Sequence, residues 1–508
     1  MLLLVRAPEA SLVRDVFGLG SLAIRDRIHL THKELSRQLR PRRDQIEAIR
    51  RFAARHRLRV HGVETGQRLV TLRGRARDIG RAFSVALSYY ENAGSVFRGH
   101  ERELTIPPDL RRVVSGVFGL DNRPVSKRPR FAAGAALVPP PPNPDTKRPS
   151  AFRGLYAFPP KATGRKQHVG VLEFGGGFEP RKLRTYLGKL GSTAPTIVVR
   201  EVGAGRNRPV NQPGTLSPDV EVYMDLEILA GVAPGAVLVV YFAENSSRGW
   251  VEALQAAIFD ERYPLSVLSI SWGQAEQYWD AATIAAIDEA LRLAALRGIT
   301  VCCSSGDRGV FEAGTRPYTI PFPASSPHVL ACGGTELQVR ARGRTHETVW
   351  NESRAVGLTS GGGISRAFDL PPFQAGSDVP ARVNAAAFGR GTPDVAANAS
   401  SLTGYLILAD DTAMSMGGTS AAAPLWAGLV ACLNEALGRR IGYLTPLLYT
   451  HGAQRRGALR DVRIGNNQMS GRQGYRARRG WDPCTGLGSP HGARLLRWLK
   501  AVSTAASR

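Results

Sequence analysis

Cysteine is scarce in this sequence, and its spacing excludes two classes of small stabilised domain. The five cysteines among 508 residues are Cys302, Cys303, Cys332, Cys432 and Cys484. So few and dispersed thiols argue against a disulfide framework, and the missing Cys-x-x-Cys spacing argues against zinc. The adjacent pair lies in an apolar, strand-like run, which favours buried thiols.

Long apolar runs are missing as well. No stretch approaches the roughly 18–20 apolar residues that a membrane-spanning helix needs, so we predict no membrane association. The N-terminal letters MLLLV are followed by Arg6, Glu9 and Arg14, so this stretch is too short for the hydrophobic part of a secretory signal peptide. Export would therefore need a route that this sequence does not display.

Acidic residues are few relative to basic ones, and the formal net charge is +25. Residues 1–150 hold 29 Lys and Arg against 14 Asp and Glu, a net +15, and the other 38 against 28 leave +10 for residues 151–508. The arginines are scattered and show no known nucleic-acid-binding spacing. This pattern indicates a solvated basic surface and argues against a nucleic-acid partner.

A proline-rich stretch divides the sequence into two parts. Residues 126–150 read SKRPRFAAGAALVPPPPNPDTKRPS, a composition typical of a stiff, exposed linker that is open to cleavage. Before it, residues 32–56 predict helices broken at Pro41, and residues 58–74 predict a hairpin that turns near residue 65. We therefore expect a small α+β domain at 1–125, with helices on one face of an antiparallel sheet.

After the linker, apolar strands alternate with helices. Continuous apolar runs, typical of strands buried on both faces of a parallel sheet, occur at 168–174, 236–242, 265–271 and 299–305. Between them we predict helices over residues 250–261 and from an Asp280 cap to Gly298. Residues 151–508 thus predict a doubly wound α/β domain, with its active site at the carboxyl ends of the strands.

Ser420 is a candidate nucleophile in the stretch GGTSAAAPLWAGLV. It stands where a helix begins after a glycine turn, and the small residues around it let a substrate backbone approach closely. A helix N-terminus also favours a developing anion. The competing interpretation is an ordinary helix start, so the decision depends on whether a base accompanies the serine.

No histidine fits the role of that base. The Gly-Thr-Ser-x-x-x-Pro pattern is shared by subtilases and sedolisins, and subtilases place a His-Gly-Thr before the serine. After residue 150 the histidines are His168, His328, His346, His451 and His491. None of them is followed by Gly-Thr, and the last two come after Ser420.

Two carboxylates offer an alternative base. The segment SPDVEVYMDLEILAGV predicts a helix capped by Ser217, on which Glu221 and Asp225 share one face at i and i+4. The neighbouring positions are apolar, so this helix should be largely buried. Two carboxylates held close in a low dielectric do not both ionise easily, which raises one pKa and suits a base that works in acid. The competing interpretation is a plain acidic face.

Asp307 is a third candidate acid, in the sequence TVCCSSGDRGV at the end of a predicted buried strand. A Gly-Asp at this place is also typical of a simple turn. A protonated carboxyl could donate a hydrogen bond to an oxyanion, which an ionised one could not. This is a second reason to expect a site that works at acid pH.

A series of further motifs runs in order along nearly the whole chain. They are LEFGGGF, ExxxD, SISWG, SGD, FPASSPHVLACGGTEL, SGGGISRAF, TPDVAANAS, GGTSAAAP and GWDPCTGLGSP, between residues 172 and 490. In this order they resemble the sedolisins, or serine-carboxyl peptidases, and most closely the kumamolisin-like group. Residues 97–124 resemble the activation propeptide of the same family.

The resemblance implies a role for each matched residue. Ser420 would be the nucleophile and Glu221 the general base, with Asp225 orienting Glu221 and Asp307 serving as the oxyanion-hole acid. Two further residues, Glu173 and Trp272, match positions that extend the carboxylate network in kumamolisin-like members. Ordinary strand-end and core packing is the competing interpretation for these two.

The fold implied is subtilisin-like for the catalytic domain and ferredoxin-like for the propeptide, in agreement with the patterns above. The predicted organisation is a propeptide at 1–125, a linker with the maturation cleavage region at 126–150, and a peptidase domain at 151–508. The chain would be a self-processing, acid-active zymogen with polypeptide substrates and its own propeptide as an intramolecular inhibitor. We expect a monomer that acts outside the cell.

The family also carries one Ca²⁺ site near the C-terminus of the chain. The matching ligands here are Asp461 and Asp482, with the carbonyls of Val462, Arg478 and Gly480, and such hard oxygen ligands suit calcium. Close relatives carry glycine where Arg478 stands. A carbonyl ligand survives that change, although the added positive charge points to weaker affinity.

Specificity is less readable than mechanism. Pro321 stands where some relatives carry an acidic residue, and that acidic residue favours basic side chains in the substrate. This chain has proline there, so we do not expect the preference here. Two alternatives to an endopeptidase remain open. One is a tripeptidyl-peptidase of the same family, and the other is an inactive polyanion-binding protein on the same scaffold.

Overall fold

A computed structural model describes residues 1–7, 16–92, 95–101, 104–126, 141–213, 216–314, 317–454, 456–471 and 473–504. Most of the predicted linker, at 127–140, lies outside the described residues. The predicted domain bounds therefore stay predictions. All five cysteines are free thiols inside the protein, as expected.

The N-terminal part is an antiparallel sheet with helices packed on one side. Its elements are β1 Leu2–Val5, α1 Val16–Ser21, α2 His32–Leu39, α3 Arg43–Arg55, β2 Arg59–Glu64, β3 Leu69–Arg73, α4 Ala76–Phe83, β4 Ser88–Asn92, β5 Ser95–Gly99, α5 Pro108–Arg111 and β6 Val114–Phe118. The sheet runs in the order β2-β3-β1-β6 with antiparallel pairs throughout. This order, with helices after the first and third strands, is the ferredoxin-like arrangement that the sequence predicts.

The letters LLLV of the N-terminal MLLLV form β1, in the middle of this sheet, and both of its faces are buried. Leu3 packs in the core of the N-terminal part. On the other face, Leu2 and Leu4 pack against Val251 and Ala286 of the large domain. A strand buried on both faces needs apolar residues at every position, which explains why this segment has no polar alternation.

One buried arginine ties the sheet to the large domain. Arg68 is 1% exposed, donates from Nη1 to the carbonyl of Val5 at 2.9 Å, and lies 2.8 Å from the carboxylate of Glu289. A buried charge is tolerated when it has such partners. The N-terminal part is therefore docked on the large domain through apolar and ionic contacts.

The large domain alternates strands and helices along the chain. Its first elements are α6 Phe152–Leu155, β7 His168–Glu173, α7 Pro180–Lys189, β8 Thr196–Glu201, α8 Pro218–Val232, β9 Val237–Phe242, α9 Ser247–Ile258, β10 Val267–Ile270, β11 Gln274–Ala275, α10 Ala281–Leu296 and β12 Thr300–Ser304. The others are β13 Pro321–Phe322, β14 Leu330–Val339, β15 Thr345–Val349, β16 Gly363–Asp369, β17 Gly389–Thr392, β18 Val395–Asn398, β19 Tyr405–Ala409, β20 Thr412–Met416, α11 Thr419–Leu437, α12 Leu444–Thr450, β21 Leu459–Arg460, β22 Ser489–Pro490 and α13 Gly492–Thr504.

A central sheet of eight strands organises this domain. Its order is β15-β14-β12-β10-β7-β9-β8, with β18 also paired to β14. All pairs are parallel except that of β14 with β15. The four predicted strands are β7, β9, β10 and β12, each at most two residues shorter at either end than its apolar run. Both predicted helices are confirmed, and the Asp280 side chain caps α10 by accepting from the N–H of Thr283.

Two buried helices, α8 and α11, pack against each other and on the sheet. Among the described residues, α11 is the one helix that is long and apolar enough to cross a membrane. We had expected no apolar run of that length. However, 83% of its apolar window is buried inside the protein. The helix is therefore part of the protein core.

The chain is held at both ends of the segment 127–140. Ser126 donates its N–H to Asn245 at 3.0 Å and accepts at Oγ from the indole of Trp250 at 3.1 Å. On the far side, the N–H of Lys147 donates to the carbonyl of Gly404 at 2.9 Å. Both contacts are to the large domain, and they lie inside the predicted linker 126–150, on either side of the segment 127–140.

Candidate active site

Three neighbouring parallel strands end at one edge of the sheet and carry the acidic side chains there. Glu173 is the last residue of β7, Trp272 lies two residues beyond β10, and Asp307 lies three residues beyond β12. These strands are adjacent in the sheet, in the order β12-β10-β7. These three candidate residues therefore lie at the carboxyl ends of the strands, where the active site is predicted.

Ser420 is the second residue of α11 and is 1% exposed. The helix follows Gly418, whose φ of +87° is a left-handed conformation that suits glycine. The hydroxyl of Ser420 donates to the backbone carbonyl of Ser271 at 3.4 Å. The serine is thus at a helix N-terminus and against the loop that follows β10.

Glu221 and Asp225 lie one turn apart on α8. Ser217 caps this helix by accepting from the N–H of Asp219, with Pro218 at the first helical position as predicted. Both carboxyl groups are buried, with exposures of 1% for Glu221 and 0% for Asp225. The predicted buried acidic pair on one helix face is therefore present.

Ser271 connects Asp225 to Ser420. Its hydroxyl lies 2.9 and 3.0 Å from the two carboxyl oxygens of Asp225 and 3.3 Å from the backbone carbonyl of Ser420. One residue therefore contacts Asp225 through its side chain and Ser420 through its own carbonyl. The structure brings α8, α11 and the end of β10 together at this point.

Glu173 and Trp272 extend the acidic cluster. The indole N–H of Trp272 donates to Oε2 of Glu173 at 3.0 Å. Burial, followed by the charge of Glu221, raises the pKa of Glu173 well above its usual range despite that hydrogen bond. Burial, followed by the charges of Glu173 and Glu221, likewise raises the pKa of Asp225. Glu173 and Asp225 therefore keep their protons to higher pH than isolated carboxyl groups do.

Asp307 is held by Thr419, the residue before Ser420. Its Oδ1 accepts from the N–H of Thr419 at 2.7 Å and from the hydroxyl of Thr419 at 2.8 Å. Burial raises the pKa of Asp307 to about 6, although the two hydrogen bonds from Thr419 oppose that rise. The carboxyl is therefore protonated in mildly acidic solution and is close to the N-terminus of α11.

The structure adds two residues to those that the sequence singled out. Ser271 and Thr419 contact Asp225 and Asp307, and both lie inside motifs quoted above, SISWG and GGTS. Their spacing along the chain carried no sign of these contacts, because the partners are 46 and 112 residues away. Only the motif positions could have suggested them.

Three of the histidines that follow residue 150 make contacts away from this cluster. His168 hydrogen-bonds to the carbonyl of Pro264, and His328 pairs with Asp288. His451 hydrogen-bonds to the carbonyl of Ser21 in the N-terminal part. These contacts agree with the conclusion that a histidine is not the base.

The predicted calcium ligands surround one turn near the C-terminus. The N–H of Gly480 points at Oδ2 of Asp461 over 3.5 Å, and the N–H of Arg478 donates to Oδ2 of Asp482 at 3.2 Å. The guanidinium of Arg478 bonds to the carbonyls of Trp481 and Asp378 and not to either carboxylate. Val462 directly follows Asp461, so all five predicted ligands border this turn.

The donor set fits a hard cation with two carboxylates and backbone carbonyls. The described part of the chain contains no cluster of three or more His, Cys, Asp or Glu side chains of the kind that holds a metal. A cation would therefore depend on the carbonyls for most of its ligands. It would also compete with Arg463, whose Nε lies 2.6 Å from Asp461 Oδ2.

Comparison with known families matches both parts of the chain. The pro-kumamolisin activation domain matches residues 25–123, and the subtilase family matches residues 196–471. The first match covers the ferredoxin-like part, and the second covers most of the central sheet with α8 and α11. The order of the two matches is that of a propeptide followed by a peptidase.

Individual relatives identify the family more closely. Kumamolisin from Bacillus sp. (strain MN-32) is 38% identical over 493 residues, 94% of this chain and 87% of that protein. Tripeptidyl-peptidase sed5 from Aspergillus fumigatus is 26% identical over 544 residues, 96% of this chain and 90% of that protein. The solved structure of Pseudomonas sedolisin, a serine-carboxyl proteinase complexed with two molecules of pseudo-iodotyrostatin, has a TM-score of 0.63 and 30% identity, and covers 70% of this chain and 99% of that one. The chain therefore belongs to the sedolisin family of serine-carboxyl peptidases, and an activation propeptide precedes its peptidase domain.

Proposed function

We propose that this zymogen is an acid-active endopeptidase in which Ser420 is the nucleophile and Glu221 the general base. In the first step, Ser420 Oγ attacks the substrate carbonyl carbon and its proton passes to the Glu221 carboxylate. Glu221 then returns that proton to the leaving amine as the peptide bond breaks, which gives an acyl-enzyme. Water then attacks the acyl carbon and loses a proton to Glu221, which passes it to Ser420 Oγ as the acyl bond breaks and the acid product leaves.

Asp307 has the role of oxyanion acid in this proposal. When the carbonyl oxygen of the substrate becomes negative, a protonated Asp307 donates a hydrogen bond to it. A donor in a buried site stabilises that charge more than water does, because it is already oriented before the reaction begins. Asp225 and Glu173 share the remaining protons of the cluster and keep Glu221 oriented.

One observation carries the proposal. The first two residues of α11 connect to Asp307 and Asp225. Thr419 hydrogen-bonds to Asp307 directly, and Ser420 hydrogen-bonds to the carbonyl of Ser271, whose hydroxyl contacts Asp225. A nucleophile, a buried acidic pair and a protonated donor are the parts that acyl transfer needs. They converge on one helix N-terminus.

Self-processing of the zymogen, as proposed here, favours an endopeptidase over a tripeptidyl-peptidase. The propeptide precedes the peptidase domain in the same chain, and its removal in one cut is a cleavage between two long segments. A chain that matures itself thus acts at least once as an endopeptidase. Action outside the cell is proposed on the zymogen architecture alone.

A peptide with a blocked N-terminus separates the two activities. The matured enzyme is expected to cut an N-acetylated peptide internally, because an endopeptidase does not need the free amine. The products are identified by mass spectrometry, with the same peptide bearing a free N-terminus as control. Tripeptide release from the free peptide alone, with the blocked one intact, would instead assign tripeptidyl-peptidase activity.

Activity is expected to fall as the pH rises through about 6. Burial raises the pKa of Asp307 from 3.8 to about 6, so the carboxyl can donate its hydrogen below that pH and is ionised above it. The test is kcat of the matured enzyme between about pH 3 and about pH 8, with a quenched fluorescent peptide. A kcat that does not fall as the pH rises through about 6 contradicts the oxyanion role of Asp307.

We also propose that one Ca²⁺ binds at the turn between Asp461 and Asp482. When bound, the cation would neutralise two carboxylates and cross-link β21 to the following loop, with no part in the chemical step. Its support is the donor set, since hard oxygen ligands are those that calcium prefers. The side-chain contacts of Arg478 remove the objection that its charge lies against the carboxylates.

Removal of calcium is expected to lower the thermal midpoint by about 5 °C or more, because a ligand that binds only the folded state stabilises it. The measurement is thermal unfolding in calcium and in chelator, with calcium binding followed by calorimetry. Asp461→Asn should abolish the difference, whereas Asp369→Asn, whose side chain is 96% exposed, should keep it. Equal midpoints for the wild type in both solutions would contradict the site.

A further inference from the structure

Thr419 makes three hydrogen bonds, two of them to Asp307 and one from Gly306. Its hydroxyl accepts from the N–H of Gly306 at 3.0 Å and donates to Asp307 Oδ1 at 2.8 Å. Its own N–H donates to the same oxygen at 2.7 Å. The hydroxyl hydrogen is thereby directed at Oδ1, because the lone pairs of the hydroxyl face Gly306.

These contacts make the two oxygens of Asp307 different. Oδ1 accepts two hydrogens from Thr419, so a third hydrogen on that atom would collide with them. The acidic hydrogen therefore belongs on Oδ2. Oδ2 lies beside Gly418, at 3.0 Å from the place where a Cβ on that residue would be. It is thus the carboxyl oxygen beside the glycine that precedes the first turn of α11.

We propose that Thr419 is a positioning residue that keeps the acidic hydrogen of Asp307 on Oδ2, beside the turn that carries Ser420. This inference rests on the proposed oxyanion role of Asp307. No proton is gained or lost in this arrangement. Thr419 selects which of two equivalent oxygens carries the hydrogen before the substrate arrives, so the donor needs no reorientation during the reaction.

Loss of the hydroxyl has two consequences with opposite signs. The acidic hydrogen could occupy either oxygen, so a smaller fraction of enzyme would be correctly oriented and kcat would fall. The ionised carboxylate would also lose a donor, so Asp307 would keep its proton to higher pH. A merely structural role for Thr419 predicts the first change without the second.

Other ionisable groups remain in place in this comparison. Those on the elements around Asp307 are Arg308 and Glu312 in the same loop, and Glu173, Glu221 and Asp225 from β7 and α8. Burial raises the pKa of Asp307, and the two hydrogen bonds from Thr419 oppose that rise. A change in the pH at which kcat falls is therefore attributable to the hydroxyl of Thr419.

The experiment compares Thr419→Val, which keeps the shape of the side chain, with Thr419→Ser, which keeps the hydroxyl. Each zymogen is incubated in acid, and a variant that does not mature is converted with a trace of tagged wild-type enzyme that is then removed. We measure kcat against pH with a fluorescent peptide, and folding by circular dichroism. If Thr419→Val does not fold, Thr419→Ala takes its place in the same comparison.

Thr419→Val is expected to lower kcat at the plateau by about twofold, because equal occupation of the two oxygens halves the fraction of enzyme with the hydrogen on Oδ2. Its alkaline limb, the pH range in which kcat falls, should move to higher pH by about half a unit or more. Thr419→Ser should match the wild type in kcat, with the limb unchanged. A Thr419→Val enzyme with full activity, or one with lower kcat and an unmoved limb, would overturn the inference.

Asp307→Ala distinguishes failure of this inference from failure of the proposed function. It is expected to lower kcat by about 10²- to 10³-fold, the usual effect of losing an oxyanion donor. If Asp307→Ala keeps wild-type activity, the oxyanion role is wrong and the inference falls with it. If Asp307→Ala is impaired and Thr419→Val is not, only the role of Thr419 is wrong.

Discussion

Ser420→Ala is expected to abolish both self-processing and peptide hydrolysis. At about pH 4 with calcium, the wild-type chain should lose roughly its first 130–150 residues and become active, while the variant keeps its full mass. The reason is that the variant lacks the hydroxyl that forms the acyl bond in the proposed mechanism, and losing a serine nucleophile costs about 10⁴-fold or more in kcat. Intact mass and hydrolysis of a fluorescent peptide are followed together.

The control for this experiment is another serine on a helix. Ser503 lies in α13, where its hydroxyl donates to the carbonyl of Leu499. Ser503→Ala should mature and hydrolyse peptide like the wild type. If the Ser420→Ala chain still matures when purified away from other proteases, Ser420 is only the second residue of a helix. The proposed mechanism would then be wrong.

Glu221→Gln is expected to lower kcat by about 10²- to 10⁴-fold, the usual contribution of a general base. The amide keeps the size of the side chain but cannot accept the proton of Ser420. Maturation of the zymogen should stop or slow in proportion, while circular dichroism and solubility stay unchanged. Processing and peptide hydrolysis are measured on the same preparation.

The same helix offers a matched control. Glu227 is also fully buried on α8, its Oε2 accepts from the N–H of Leu408 at 2.9 Å, and burial raises its pKa well above the usual range. Because a carboxyl with a raised pKa is protonated in acid, glutamine replaces it there at little cost. Glu227→Gln should keep kcat within about threefold of the wild type. Equal losses in both variants would mean that burying an amide in this helix, not removal of a base, causes the effect.

Much of the fold was predictable because it follows from local patterns. Continuous apolar runs mark strands covered on both faces, and four of the central strands lie where those runs are. The N-cap at Ser217 and the apolar positions around Glu221 predicted a buried helix with two acids on one face. The segment MLLLV shows the limit, since five apolar residues fit a signal fragment, a helix end or a strand equally well.

The chemistry of the site was predictable only in part. Residue types and motif order pointed to Ser420, Glu221, Asp225 and Asp307. The structure places Ser420 in the first turn of α11, the two acids Glu221 and Asp225 on α8, and Asp307 just beyond β12. The contacts that orient them were not predictable. Serine and threonine are common in loops and at helix starts, so nothing in one sequence marks Ser271 or Thr419 as a partner of an acid.

The sequence by itself determined the residues that can do chemistry and the local elements that carry them. It specified a serine after a glycine turn, two carboxyl groups one helical turn apart, and an acid after a buried strand. Only the tertiary structure decided which atoms meet, because the parallel sheet brings β7, β10 and β12 side by side and α8 packs on α11. Burial then raises the pKa values of Asp225 and Asp307, since the desolvation of a carboxylate depends on everything packed around it and not on its neighbours in the chain.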